Sequence, residues 1–92
     1  MTDAAAVKAK LRRFVAEELL GDAAYPLADT DPLITGGLID SFALAHVGVF
    51  VEQAFGVYIP DVELTVESCD TIEQIAARVL AGLAPAGRYR PT

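Results

Sequence analysis

The residues best placed to do chemistry in this 92-residue chain are Asp40 and Ser41. They close a long connector and open a segment with helical spacing. At such a junction a serine hydroxyl is exposed, and the helix start supplies free amides and partial positive charge. A phosphodiester formed on that oxygen would be stabilised by the same field that holds phosphates at helix starts. Asp40 beside it can help hold a divalent cation when a phosphate donor arrives, because Mg²⁺ favours carboxylate and phosphate oxygens. On composition alone the commoner reading is plainer, a serine N-cap next to a loop acid.

Few other side chains offer chemistry. His46 is the single histidine and Cys69 the single cysteine. His46 reads first as a solvated helix residue, with a pH-sensitive contact as the rarer alternative. Cys69 reads as a small apolar residue, since no activating base lies near it in sequence. One cysteine makes no internal disulfide, and no histidine or cysteine spacing suits a metal. There is no nucleophile-base pair and no glycine-rich phosphate loop, so an enzyme is not expected.

The elements that must position Ser41 follow from periodicity. Val7, Leu11, Phe14, Val15 and Leu19 make a helical stripe from about Asp3 to Leu20, with Thr2 or Asp3 as cap and Gly21 as stop. The connector from Gly21 to Asp40 holds Pro26, Pro32, Gly36 and Gly37, which punctuate turns. It also carries Leu27, Leu33, Ile34, Leu38 and Ile39, so it is expected to pack on the core. From Ser41 to Phe55 two patterns compete. Val47, Val49 and Val51 alternate like a strand, while Leu44, Val47, Val51 and Phe55 form a helical stripe. Length and the opening serine favour the helix, against a cost of up to about 1 kcal/mol for Gly48. A short helix is expected at about Asp61 to Glu67. Thr71 and Gln74 then form a capping box for a last helix carrying Ile72, Ile75, Ala76, Val79, Leu80 and Leu83. The predicted fold is all-α, a small four-helix bundle with one long loop between helices 1 and 2 and a short third helix. Residues 1–83 form the domain and 84–92 a flexible tail.

Hydrophobic residues make up 53% of the chain, enough for a core without staples, and the net charge is −6. An acidic surface repels nucleic-acid backbones and anionic membranes and attracts basic or weakly charged proteins. Met1-Thr2-Asp3 shows no signal-peptide pattern, and no apolar run is long enough to span a bilayer. A soluble cytoplasmic monomer is expected.

Gly37-Leu38-Ile39-Asp40-Ser41-Phe42 resembles the attachment motif of the acyl carrier protein family. Asp31-Pro32-Leu33 resembles the family's mid-loop segment, Phe55-Gly56-Val57-Tyr58-Ile59-Pro60 the end of its second helix, and Thr71-Ile72-Glu73-Gln74-Ile75-Ala76 the start of its last. The match runs from about Val7 to Leu83. Each piece alone is weak, and together they stand in the family's order and spacing. The resemblance implies that a phosphopantetheinyl transferase moves 4′-phosphopantetheine from coenzyme A to Ser41, with Asp40 beside it. The arm then carries a thioester between an acyl- or amino-acid-activating ligase and downstream acyl-processing enzymes. It also implies that cargo can shelter between helices, where some of Val47, Val51 and Ile59 would line a cleft.

The chain departs from the family in two places. Phe42 stands where leucine is usual. Phe42, Ala43, His46, Val49 and Gln53 share one side of the second helix, and this expected partner face is nearly neutral where fatty-acid carriers are acidic. The departure points away from fatty-acid synthase partners and toward D-alanyl, other aminoacyl or specialised pathways. Two alternatives stand: a peptidyl carrier of a nonribosomal peptide pathway, and an unmodified helical interaction domain.

Overall fold

The structure, a computed structural model, describes residues 3–83, and the expected tail at 84–92 lies outside them. It is an all-α fold of four helices. Helix α1 (Ala4–Phe14) runs on into a π-helical turn (Val15–Leu19). A long gap leads to α2 (Ala43–Phe55), then come a 3₁₀ turn (Asp61–Glu63), the short α3 (Val66–Cys69) and α4 (Ile72–Gly82). The strand pattern in the second segment loses: no strand occurs among the described residues.

Each helix forms for a local reason. Asp3 caps α1, its Oδ1 accepting from the Ala6 amide at 2.8 Å. At α4 the Gln74 amide donates to Thr71 Oγ1 at 3.0 Å, and Gln74 Oε1 accepts from the Thr71 amide at 3.2 Å, completing the expected capping box. The apolar stripes then meet. Val7, Leu11 and Val15 bury against Ile72, Ile75, Ala76 and Val79, and Leu44, Val47 and Val51 of α2 complete the core. On the flank of this core Phe14 stacks on Phe50, with ring centroids 4.3 Å apart.

One expected element is refined and one corrected. The first helix spans the expected stretch, but its last turn is π-helical: the Leu20 amide donates to the Val15 carbonyl, five residues back, at 2.9 Å. The wide turn lets the adjacent residues Val15 and Ala16 both reach the core. The third helix does not run from Asp61 to Glu67. The chain breaks after the 3₁₀ turn, Thr65 adopts an extended conformation, and its Oγ1 accepts from the Ser68 amide to start α3 afresh.

The connector packs on the core as its apolar residues require. Leu27 and Leu33 are buried, and Ile34, Leu38 and Ile39 pack against them half-buried. Asp70, between α3 and α4, holds it there. Its Oδ1 accepts from the amides of Ile34 at 2.7 Å and Thr35 at 3.1 Å, its Oδ2 from Thr35 Oγ1 at 2.6 Å, and its carbonyl from the Leu33 amide at 2.6 Å. Arg12 of α1 pairs with Asp29 at the middle of the same loop.

The contacts of Asp70 make stability depend on pH. Partial burial pushes the Asp70 carboxyl up, but hydrogen bonds from the Thr35 hydroxyl and the Thr35 and Ile34 amides outweigh it and hold the group below its ordinary 3.8. A carboxyl lowered by folding stabilises the fold above its unfolded value and loses that contribution as pH falls through the folded one. Asp70→Asn should therefore flatten the loss of melting temperature between about pH 5 and about pH 2. Parallel melting curves for wild type and variant over that range would assign the acid sensitivity to other carboxylates.

Candidate functional site

The connector reaches the site through Gly37, whose φ of +80° is open to glycine at no steric cost. The chain then turns into α2 through three-residue closures: the Ala43 amide donates to the Asp40 carbonyl, that of Leu44 to Ser41 and that of Ala45 to Phe42. Regular α-helix begins at Ala43, two residues later than the sequence suggests.

The geometry of this turn shows which residue caps. Asp40 Oδ1 accepts from the Ala43 amide at 3.0 Å, so the aspartate and not the serine closes the helix start. Ser41 sits one position inside the turn and is exposed. Among the described residues its hydroxyl makes no side-chain hydrogen bond. The amides of Ser41 and Phe42 likewise have no acceptor within the fold. An unengaged hydroxyl, two free amides and an exposed carboxylate thus gather at one corner, an arrangement suited to an oxygen that is to become a phosphodiester.

The five residues expected on the partner face all reach the surface of α2. Phe42 is 82% and Val49 55% exposed, His46 and Gln53 are exposed, and Ala43 is half-buried. Two exposed apolar residues outside that set, Tyr58 and Val62, follow the helix. Val62 was hidden within the expected third helix; its place in a three-residue 3₁₀ turn between two acids is the signal that turns it outward.

Of the three residues of which some were expected to line a cleft, one borders an opening and two do not. Val47 and Val51 are fully buried in the core. Ile59 borders two openings, a crevice of about 80 Å³ between α2 and the 3₁₀ turn and one of about 220 Å³ against Arg78 and Gly82 of α4. Cys69 is fully buried, and burial pushes its thiol up against the opposing pull of Arg78, which suits a packed apolar residue better than a nucleophile. Among the described residues no cluster of three or more histidine, cysteine or acidic side chains could hold a metal ion, and no helix is long and apolar enough to cross a membrane.

No protein-family model and no curated protein matches this chain.

Proposed function

We propose that the protein is a free-standing acyl or aminoacyl carrier, bearing 4′-phosphopantetheine on Ser41 and presenting its thioester to partner enzymes. The observation that carries this reading is the division of labour at the start of α2. Asp40 does the capping, which leaves the Ser41 oxygen exposed and unengaged. A serine conserving the helix start would be hydrogen-bonded to it.

In the attachment step Ser41 Oγ forms a bond to the β-phosphorus of coenzyme A. The phosphoanhydride bond breaks, adenosine 3′,5′-bisphosphate leaves, and the hydroxyl proton passes to a base of the transferase. The free oxygen of Asp40 can contact the cation that accompanies the pyrophosphate. The helix start and the free Ser41 and Phe42 amides stabilise the new phosphodiester. The attached arm supplies a terminal thiol for thioester formation; the chain itself supplies the tether and the docking face, and no bond-making group beyond Ser41.

The decisive experiment is the intact mass of the protein after incubation with coenzyme A, Mg²⁺ and a promiscuous phosphopantetheinyl transferase. One added phosphopantetheine, mapped by peptide fragmentation to Ser41, is the expected result. No gain on a protein of unmodified starting mass would favour the alternative of an unmodified interaction domain, which the exposed Phe42, Tyr58 and Val62 would serve.

The α2 face has its own test. Val49→Glu places a charge at the middle of the nearly neutral surface and should lower kcat/KM for arm transfer by about tenfold, the effect of a moderate interface residue. The helical circular dichroism should not change. Unaltered transfer would remove this face from recognition.

A further inference from the structure

We infer that Gly48 and Leu64 set the size of the cargo, and that the group carried on Ser41 is a small aminoacyl group and not a long acyl chain. The inference rests on the carrier reading and names its substrate class. Ala45, Gly48 and Glu52 follow Ser41 at intervals of three and four residues, on one side of the helix. A tethered group folding back along that side meets the crevice between α2 and the 3₁₀ turn, about 10 Å from its anchor by helical rise.

The crevice is small because Leu64 fills it. Gly48 has no side chain, and a Cβ there would lie 2.9 Å from Leu64 Cδ1, so the leucine packs directly on the helix backbone. What remains is about 80 Å³, bordered by Ala45, Val49, Tyr58 and Ile59. Pockets that bury a drug-sized ligand begin near ~300 Å³. Two larger openings offer no substitute: at the groove of about 440 Å³, Phe50 and Ala54 lie on a different side of α2 from Gly48 and Glu52, and the opening of about 220 Å³ beyond Tyr58 and Ile59 is lined by Arg78 and Gly82 of α4 and by no residue of α2.

The mouth adds a charge preference. Glu52 and Asp61 border the crevice, are exposed, and have no cationic partner among the described residues. A short apolar side chain can enter while the α-ammonium of an aminoacyl group stays at the carboxylates. A neutral acyl group of the same size lacks that second contact.

The test uses full-length protein loaded by the transferase with coenzyme A analogues carrying alanyl, propionyl or octanoyl groups through a stable amide. Intact mass comes first: no added mass on any analogue overturns the carrier reading itself. Given a loaded arm, amide shifts in ¹⁵N spectra are compared with those of the bare arm. The alanyl group should shift Ala45, Gly48, Val49 and Leu64, with the shifts reduced by salt and by Glu52→Gln. The propionyl group should shift them less, and the octanoyl group should shift neither these amides nor those of Phe50 and Ala54. Leu64→Ala should admit the octanoyl chain and raise its effect at Gly48. Octanoyl shifts in the wild type equal to or larger than the alanyl shifts would overturn the size limit without touching the carrier reading. Equal alanyl and propionyl shifts would overturn the aminoacyl assignment.

Discussion

Ser41→Ala should take up no phosphopantetheine at all, and its melting temperature should stay close to that of the wild type. Loss of a capping residue typically costs about 1 kcal/mol, and here that cost belongs to Asp40, whose carboxylate receives the Ala43 amide. Asp40→Ala should accordingly be the less stable of the two variants by roughly that amount, read from denaturant midpoints. The pair separates chemistry from architecture: on the proposed carrier function one residue is needed for the arm, its neighbour for the turn that would present it. A Ser41→Ala protein that melts earlier than Asp40→Ala would make the serine structural.

Leu33→Ala should be the most destabilising of the substitutions considered, although the residue lies in a loop. Leu33 is fully buried, and its backbone is pinned twice, its amide donating to the Asp70 carbonyl and its own carbonyl accepting from the Leu38 and Ile39 amides. Truncating a buried leucine costs about 2–5 kcal/mol, a large share of the roughly 5–15 kcal/mol that holds a domain of this kind together. At about 4–8 °C per kcal/mol the melting temperature should fall by more than about 8 °C. The connector is then part of the core, and the variant should also lose arm uptake as the turn at Gly37 and Asp40 loosens. A shift of a degree or two would mean that the loop rides on the bundle without being needed by it.

The architecture was legible where its causes are local. The capping box is a three-residue relation between Thr71 and Gln74, visible without any structure. The stripes of α1, α2 and α4 are periodic, and the apolar connector announced its own burial through Leu27 and Leu33. Other features depend on where a turn starts or on residues far apart. Asp40 and Ser41 are both able to cap, and only the position of the first turn decides between them. The break after Glu63 follows from Leu64 turning into the space left by Gly48, a tertiary contact, although Thr65 three residues before Ser68 was a readable cap. Asp70 joins residues 35 and 36 positions away, and nothing in the acid's own neighbourhood points to Ile34 and Thr35. The exposed side of α2 was legible from helical spacing, while Tyr58 and Val62 needed the fold to place them outside.

The π-helical turn at Val15–Leu19 gives the first helix a tolerance for changes in its length. Such a turn holds one residue more than an α-helical turn. Deleting Glu18, which is exposed, would leave the Val15 carbonyl and the Leu20 amide facing each other as an ordinary four-residue closure, with both partners of the present bond retained. The same deletion at Ala9 has no slack to absorb it. It would twist Val7 by about 100° relative to Leu11 and Val15 and carry one side of the stripe off the core. Among homologues and engineered variants alike, single-residue length changes in this helix should therefore gather at its C-terminal end, leaving the span that faces α4 at constant length.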